Sequence, residues 1–272
     1  MKNELEFHDY IFVVLVYKNT VDIIDFIESV KKQTIDFKII IVNSYYDDNS
    51  MQCFAKITYD NNCDFINIPN KGYSYGNNVG INYAKIHYKF QYLICSNPDI
   101  IIKEFKMMKS IDKNGIYCGN IVAKDNRKQN PMRSCESNLY NKLIYIGYKK
   151  NLKSLICLGV FINKLYNQLY SVKRFFFRKE YYKIFQPHGS FIIFSKNSLE
   201  ILDKVFDDNM FLFCEEGVVA IKARIKGIPI YFIPSLLCFH KEDGSMNLWD
   251  GNINEESKKS TIYFFEKYYS FK

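Results

Sequence analysis

The chain has 272 residues, 48% hydrophobic and 17% aromatic, enough for one large packed domain. Its formal net charge is +8, but ten Lys/Arg and a single acid fall within residues 138–183, leaving 27 basic and 28 acidic side chains elsewhere. That distribution excludes a protein that is basic throughout and coats polyanions, and no apolar run reaches the length of a membrane-spanning helix.

Residues 10–17 (YIFVVLVY) form a continuous apolar, β-branched run and predict a buried parallel-type strand. Residues 20–32 carry apolar side chains at helical spacing, with Thr20 as a cap. A second strand is expected at 37–42, broken by the polar turn 43–50, then a helix to about residue 59. A third strand at 64–68 is closed by Pro69-Asn70-Lys71-Gly72. A helix over 74–87 and a fourth strand at 92–95 follow. This alternation predicts an α/β fold: a doubly wound, mostly parallel sheet with helices on both faces. Ligands of such sheets bind beyond the carboxyl ends of the strands, where Asn43, Asp48, Asn70 and Asp99 fall.

Beyond residue 104 we expect a helix at 105–112, a strand in IYCGNIVA, and a basic, aromatic-rich, partly helical segment at 138–185. A strand at 191–194, a helix at 195–205 and a helix at 215–226 stopped by Gly227 come next. Strands at 230–233 and 236–239 lead to His240, and an amphipathic helix covers 253–269. The eight cysteines form no C-x-x-C pair and suit reduced thiols in a cytoplasmic protein. The N-terminus, acidic and without an apolar core region, does not read as a secretory signal.

Several clusters carry chemistry. Asn70-Lys71-Gly72-Tyr73-Ser74-Tyr75-Gly76-Asn77-Asn78 places glycines where backbone can approach a ligand ahead of a helix N-terminus; it also describes an ordinary close-packed turn. Asn97-Pro98-Asp99 delivers a carboxylate to a strand tip, suited to a hard divalent cation and equally to an Asx turn. Glu215 and Glu216 open a helix, where the dipole favours acids and where one of them could act as a general base. His240 ends a strand and could join a metal site. Pro187-His188-Gly189-Ser190 precedes a strand and could let an acceptor approach the backbone.

In this order the stretches VVLVYKN, IVNSYYDDNS, NKGYSYGNNVG, YLICSNPDI, PHGSFIIF, FLFCEEGVVAIKARIKGIPIYFIP and CFHKEDGS resemble the family 2 glycosyltransferases of GT-A fold, in particular the bacterial rhamnosyltransferase-like and capsule or O-antigen branch. The resemblance runs from about residue 10 to 245. It implies a single GT-A domain over 1–272: a nucleotide-sugar-binding half at about 1–104, an acceptor-binding half at 105–250, and a C-terminal helix at 251–272. It further implies Asn43, Asp48, Asn70, Gly72, Asn78 and Asn97 as donor-binding residues, with Asn43 standing where many members have Asp. Asp99 and His240 would hold Mg2+ or Mn2+ on the diphosphate. His188, Gly189 and Ser190 would lie on the acceptor side. Glu216, with Glu215, matches the family's Glu-Asp pair and becomes the base of an inverting transfer. A second acid usual two residues later is Val218 here, which leaves open an altered acceptor site or a non-catalytic sugar-nucleotide-binding subunit.

The implied partners are a UDP- or dTDP-linked sugar and a glycan acceptor on a lipid carrier. The basic segment, with 12 aromatics between Tyr140 and Phe185, suits an anionic membrane surface at the inner face of the cell membrane, and equally a solvated face over an aromatic core. Two rivals weaken. A nucleotidyltransferase would have a glycine-rich phosphate loop after the first strand, and VVLVYKNTVDI has no glycine. A nucleic-acid binder would show a recognised binding motif, and none is present. Oligomeric state is not legible.

Overall fold

A computed structural model describes residues 5–107, 113–242 and 248–271. The first half alternates as expected: β1 (Glu6–Val16), α1 (Asp22–Lys31), β2 (Phe37–Tyr45), α2 (Asp48–Asp60), β3 (Asp64–Pro69), α3 (Tyr73–His87) and β4 (Tyr88–Ser96). The second half holds β5 (Ile100–Glu104), β6 (Ile116–Ala123), α4 (Asn138–Lys149), α5 (Lys153–Phe176), β7 (Tyr182–Ile184) and β8 (Phe191–Ser195). It closes with α6 (Lys196–Leu202), α7 (Glu215–Ile225), β9 (Ile230–His240) and α8 (Ile253–Tyr268).

The strands form one sheet in the order β3-β2-β1-β4-β8-β6-β9-β5, with β7 pairing β9. Pairing is parallel across β3-β2-β1-β4 and again between β6 and β9. β8 runs antiparallel to both β4 and β6, and β5 and β7 run antiparallel to β9. The parallel expectation therefore holds in the first half, and the second half is mixed. Because β8 reverses direction twice over, β4, β6 and β9 end at the same edge. That edge collects Asp99, the turn after β6 and His240.

β1 shows why its sequence reads as an unbroken apolar run. Ile11 and Val13 join the core on one face, with Ile81 and Ala84 of α3 and Val219 of α7. Phe12, Val14 and Val16 join the other, with Phe26 and Val30 of α1 and Phe54 of α2. A strand covered on both faces has no solvated side to alternate toward. A third core lies between α4, α7 and α8, around Ile144, Val218, Ile221, Phe264 and Phe265.

Several expectations change. α1 begins at Asp22 without a side-chain cap, where Thr20 is expected to cap it. The chain re-enters the sheet as β5 directly after Asp99, its run of three isoleucines being a strand; of the helix expected at 105–112, residues 108–112 lie outside the described residues. The two short strands expected around Pro234 are one strand, β9, whose register against β6 shifts between Gly119 and Asn120. The irregularity lets proline sit in the strand without a ladder donor. Leu236 packs there onto Gly119, where a Cβ would lie 2.1 Å from its Cδ2. Finally, α6 ends at Leu202 rather than running to 205.

Candidate active site

The tip of β4 delivers Asp99, 2% exposed, and the end of β9 delivers His240, 7% exposed. Direct pairing of Ile100 with His240 in the β5–β9 ladder sets the two side by side. His240 Nε2 lies 3.2 Å from Asp99 Oδ2. The second carboxylate oxygen, Oδ1, is buried with no hydrogen-bond partner among the described residues. On its other side His240 Nδ1 lies 2.8 Å from Gln129 Oε1, and Gln129 Nε2 donates to Glu242. An amide oxygen can only accept, so Nδ1 carries a proton. Nε2 then faces Asp99, and the contact is completed either by a proton on Nε2 or by a cation held by both atoms.

The loop 187–190 enters the same edge ahead of β8. His188 packs against His240 with ring centroids 5.7 Å apart. Burial, with His240 beside it, pushes its pKa down to about 4. The Ser190 backbone N–H and hydroxyl lie 3.3 and 2.9 Å from its Nδ1, so Nδ1 accepts and the neutral ring carries its proton on Nε2. The backbone of His188 donates to Asn130, which is itself anchored on the Gly119 carbonyl. Asn97 donates its backbone N–H to the Ser190 carbonyl, tying this loop to the tip of β4. The tyrosine hydroxyl of Tyr73 donates to the Gly189 carbonyl.

Gly189 faces the N-terminus of α7. A Cβ at that position would lie 3.4 Å from Glu216 Oε2. Glu216 keeps partial exposure, and Gln186 Nε2 lies 3.5 Å from its Oε1. Burial holds the pKa of Glu216 above the usual carboxylate value. Glu215 is different: it is 6% exposed, its Oε1 has no partner among the described residues, and burial plus the adjacent Glu216 push its pKa to about 8. Of the pair, Glu216 is the one set against the loop. Two successive left-handed residues, Phe213 (φ 74°) and Cys214 (φ 68°), turn the chain into α7 at this point, a conformation that costs of order 1–3 kcal/mol per residue and persists only where surroundings impose it. Val218 is fully buried in the α4–α7–α8 core. An acid at this position would have to be desolvated there.

The donor-half residues sit along the first strand ends. Asn43 is buried and its amide donates to Asn67 Oδ1 at 2.7 Å. Asp48 begins α2 and accepts from the Tyr45 hydroxyl. Asn70 accepts from the Gly72 backbone N–H. Gly72 has φ 95° and packs on the Phe211 backbone, where a Cβ would lie 2.3 Å from the carbonyl oxygen. Asn78 is engaged on both ends, donating to the Phe206 carbonyl and Asp208 and accepting from the Phe206 N–H. Gly72 and Asn78 thus join α3 to the 206–211 segment leading to α7.

Other residues of this edge carry no sequence pattern that marks them. Gln129 and Asn130 come from the turn after β6. Gln186 comes from an isolated bridge to Arg133. Arg133 is 3% exposed, its guanidinium held between Tyr140 and Phe185 at 4.2 and 4.8 Å. Lys18, after β1, lies 3.9 Å from the Tyr46 ring centre and bonds the Leu248 carbonyl and Asp250.

Among the described residues no group of three or more His, Cys, Asp or Glu converges as a complete metal cage. Asp99 and His240 still fit a Mg2+- or Mn2+-type site, because such ions take one or two protein ligands and complete their shell with substrate phosphates and water. The orphaned Asp99 oxygen and the Gln129-oriented imidazole are the features that such a ligand pair needs.

Comparison with solved structures finds the same fold at low identity. GalNAc-T7, crystallised with UDP, GalNAc and Mn2+, matches over 97% of this chain and 48% of its own, with a TM-score of 0.63 and 12% identity. TarS of S. aureus matches over 97% and 44%, with a TM-score of 0.55 and 14% identity. Its 1–349 fragment matches over 97% and 72%, with a TM-score of 0.53 and 13% identity. The chain thus spans about half the length of the first two. Comparison with curated proteins gives no match. The family model for glycosyl transferase family 2 matches residues 11–202, well over half the chain. Its sheet, its strand-tip aspartate and that match together make the chain a member of glycosyl transferase family 2.

Proposed function

We propose that the protein is an inverting glycosyltransferase. It moves a sugar from a UDP- or dTDP-linked donor to a hydroxyl of a glycan acceptor, a hexosyl or rhamnosyl transfer in the synthesis of a bacterial surface polysaccharide such as a capsule or O-antigen. The observation that carries this reading is the loop 187–190. It sets Gly189 against Glu216 while its neighbour His188 packs on His240 of the Asp99 pair.

In this reading Glu216 takes the proton of the acceptor hydroxyl. The oxygen forms its bond to the anomeric carbon as the bond from that carbon to the donor phosphate breaks. The electron pair leaves with the nucleoside diphosphate. A carboxylate whose pKa is raised by burial is a better base for an alcohol than a solvated one. Gln186 orients it from one side. Asp99 and His240 would hold Mg2+ or Mn2+, which when bound neutralises charge on the diphosphate leaving group. Asn97, Asp48, Asn43 and Asn70 line the donor side, Gly72 and Asn78 fix the 206–211 segment, and His188, Gly189 and Ser190 form the acceptor-side wall. Because Val218 belongs to the core, its lack of charge removes nothing from this constellation, which favours the catalytic reading over a non-catalytic subunit.

No described helix is long and apolar enough to cross a membrane. The acceptor is proposed to be lipid-linked, with the protein working peripherally at the inner face of the cell membrane. The reading is tested with a panel of UDP- and dTDP-sugars, with and without Mn2+. One donor should raise the melting temperature only with metal and be turned over to free nucleoside diphosphate; no metal-dependent response to any of them would refute it.

A further inference from the structure

We propose that α5 is a docking helix that lies in the plane of an anionic bilayer with its outward face among the acyl chains. The inference deepens the reading above and rests on it for the nature of the acceptor, though not for the docking itself.

α5 is apolar on its outside as well as on its inside. Its protein-facing side packs Ile156, Gly159 and Tyr170 on the cores and carries Asn163, Asn167 and Arg174. Asn163 donates to the Met132 carbonyl, Asn167 donates to the carbonyls of Pro131 and Met132 and accepts from the Ser134 N–H, and Arg174 stacks on Tyr182 and Phe232. At about 100° per residue, the opposite side is a stripe of Leu158, Phe161, Leu165, Leu169, Val172 and Phe176 at i, i+3/i+4 spacing. Each is exposed, from 43% at Leu165 to 72% at Phe176. Six large apolar side chains in one such row form a patch rather than scattered exposure. Lys153 and Lys164 flank the row on one side and Lys173 on the other. The helix has 24 residues, about 36 Å, yet no described helix is apolar enough to cross a bilayer. An apolar row with basic flanks and low overall hydrophobicity is the pattern of a helix that lies in the membrane interface.

Charge selects the occupant. A second copy would bring two such faces together, each within a segment of ten basic residues and one acid, and would be repelled. An anionic lipid surface complements the same charge. At the C-terminal end of α5, on the side of Tyr170 and Arg174 rather than on the row, an open cavity of about 800 Å³ is walled by Lys173, Arg174, Lys179 and Lys183 together with tyrosines, with Glu180 as the one acid among its lining residues. Its positive charge suits an anionic phosphate. Through its opposite side the helix is also tied to the site: Asn167 holds the 131–134 backbone, Arg133 donates its N–H to the Gln186 carbonyl, and Gln186 reaches Glu216.

The test is flotation with vesicles of phosphatidylcholine alone or mixed with phosphatidylglycerol, at low and high salt. The wild type should float with the mixed vesicles and lose most of that binding at high salt. The variant Leu165→Glu/Leu169→Glu, which alters exposed positions only, should bind at least tenfold more weakly with an unchanged melting temperature. Lys179→Glu/Lys183→Glu should lose the preference for anionic lipid. Failure of the wild type to float, or equal flotation of wild type and the Glu variant, would overturn the proposal. So would a wild-type dimer in sedimentation that the Glu variant dissociates, since the face would then belong to a second copy. Mn2+-dependent UDP binding, measured without vesicles, separates the two readings: its loss with flotation intact sinks the donor assignment and leaves the docking helix standing.

Discussion

His240 Nε2 lies 3.2 Å from Asp99 Oδ2, and the arrangement comes from strand pairing rather than from a local motif: residue 240 ends β9 directly opposite residue 100 of β5. On its far side Gln129 fixes the ring through Nδ1. The prediction concerns that outer partner. Gln129→Leu leaves the Asp99–His240 pair in place but frees the imidazole to change tautomer and tilt. The Mn2+ concentration for half-maximal activity should rise by roughly 10–100-fold, with the saturated rate less affected. Asp99→Asn should abolish the metal response altogether while the fold, read by circular dichroism, persists. A Gln129→Leu enzyme with wild-type Mn2+ dependence would remove the orienting role.

The two glutamates of α7 should separate by experiment. Glu216→Gln removes the proposed base and should lower kcat by roughly 10²–10⁴-fold with donor KM unchanged. Glu215→Gln should act on stability. Its folded pKa, raised to about 8 by burial and by Glu216, lies above the value of an unfolded glutamate, so the native state binds the extra proton. Stability is then lost as pH rises from about 4.5 toward 8. The melting temperature of Glu215→Gln should equal that of the wild type near pH 4 and exceed it increasingly toward pH 8. A constant difference across that range would show that Glu215 does not titrate in the folded protein.

The readable and unreadable parts of this site divide by their physical origin. Asp99 and His240 can be placed at strand ends because each follows an apolar run, but only the family resemblance pairs them at one metal site; the strand pairing that sets them side by side leaves no local pattern. Gln129 and Gln186 are not legible, since a turn and a single isolated bridge leave no period in the sequence. Glu215 and Glu216 are neighbours in sequence but differ by about 100° around a helix, and only packing tells which one meets Gly189. The same limit applied to α5. Its periodicity marks an apolar row, yet period alone does not say whether that row faces the core or the outside. The sequence predicts two strands in place of β9 because proline removes a ladder donor, and the bulge that accommodates it is a tertiary event.

Asp207 ties α8 to the segment before α7. Burial alone would raise its pKa, but Lys267, Tyr268 and Asn209 hydrogen-bond its carboxylate and hold it well below the usual range. Here the native state favours the charged form, so the contribution is present above the unfolded pKa and fades as pH falls through the acid range. Asp207→Asn should lower the melting temperature most at neutral pH; the loss should begin to shrink once pH falls below about 4 and vanish only as the depressed folded pKa is passed. A loss that does not shrink at all between neutral pH and the most acidic pH at which the protein still melts cooperatively would mean that the carboxylate acts by shape and not by charge.

Gly72 and Gly189 should fail in different ways. Gly72 has φ 95° and lies on the Phe211 backbone, 2.3 Å from where a Cβ would meet the carbonyl oxygen. Neither atom is at the end of a flexible side chain, so Gly72→Ala must displace α3 or the 206–211 segment. We expect a loss of at least ~2 kcal/mol, from strain at a positive φ together with overpacking. At Gly189 the nearest atom to a new Cβ is Glu216 Oε2, at 3.4 Å, an ordinary contact with a side chain. Gly189→Ala should therefore melt within about 0.5 kcal/mol of the wild type. It should nonetheless lower kcat/KM for the acceptor, because the methyl occupies the space beside the base through which the hydroxyl must come. Normal transfer by Gly189→Ala would place the acceptor on another side of Glu216. A stable, well-folded Gly72→Ala would show that the 206–211 segment gives way more easily than its backbone contact implies.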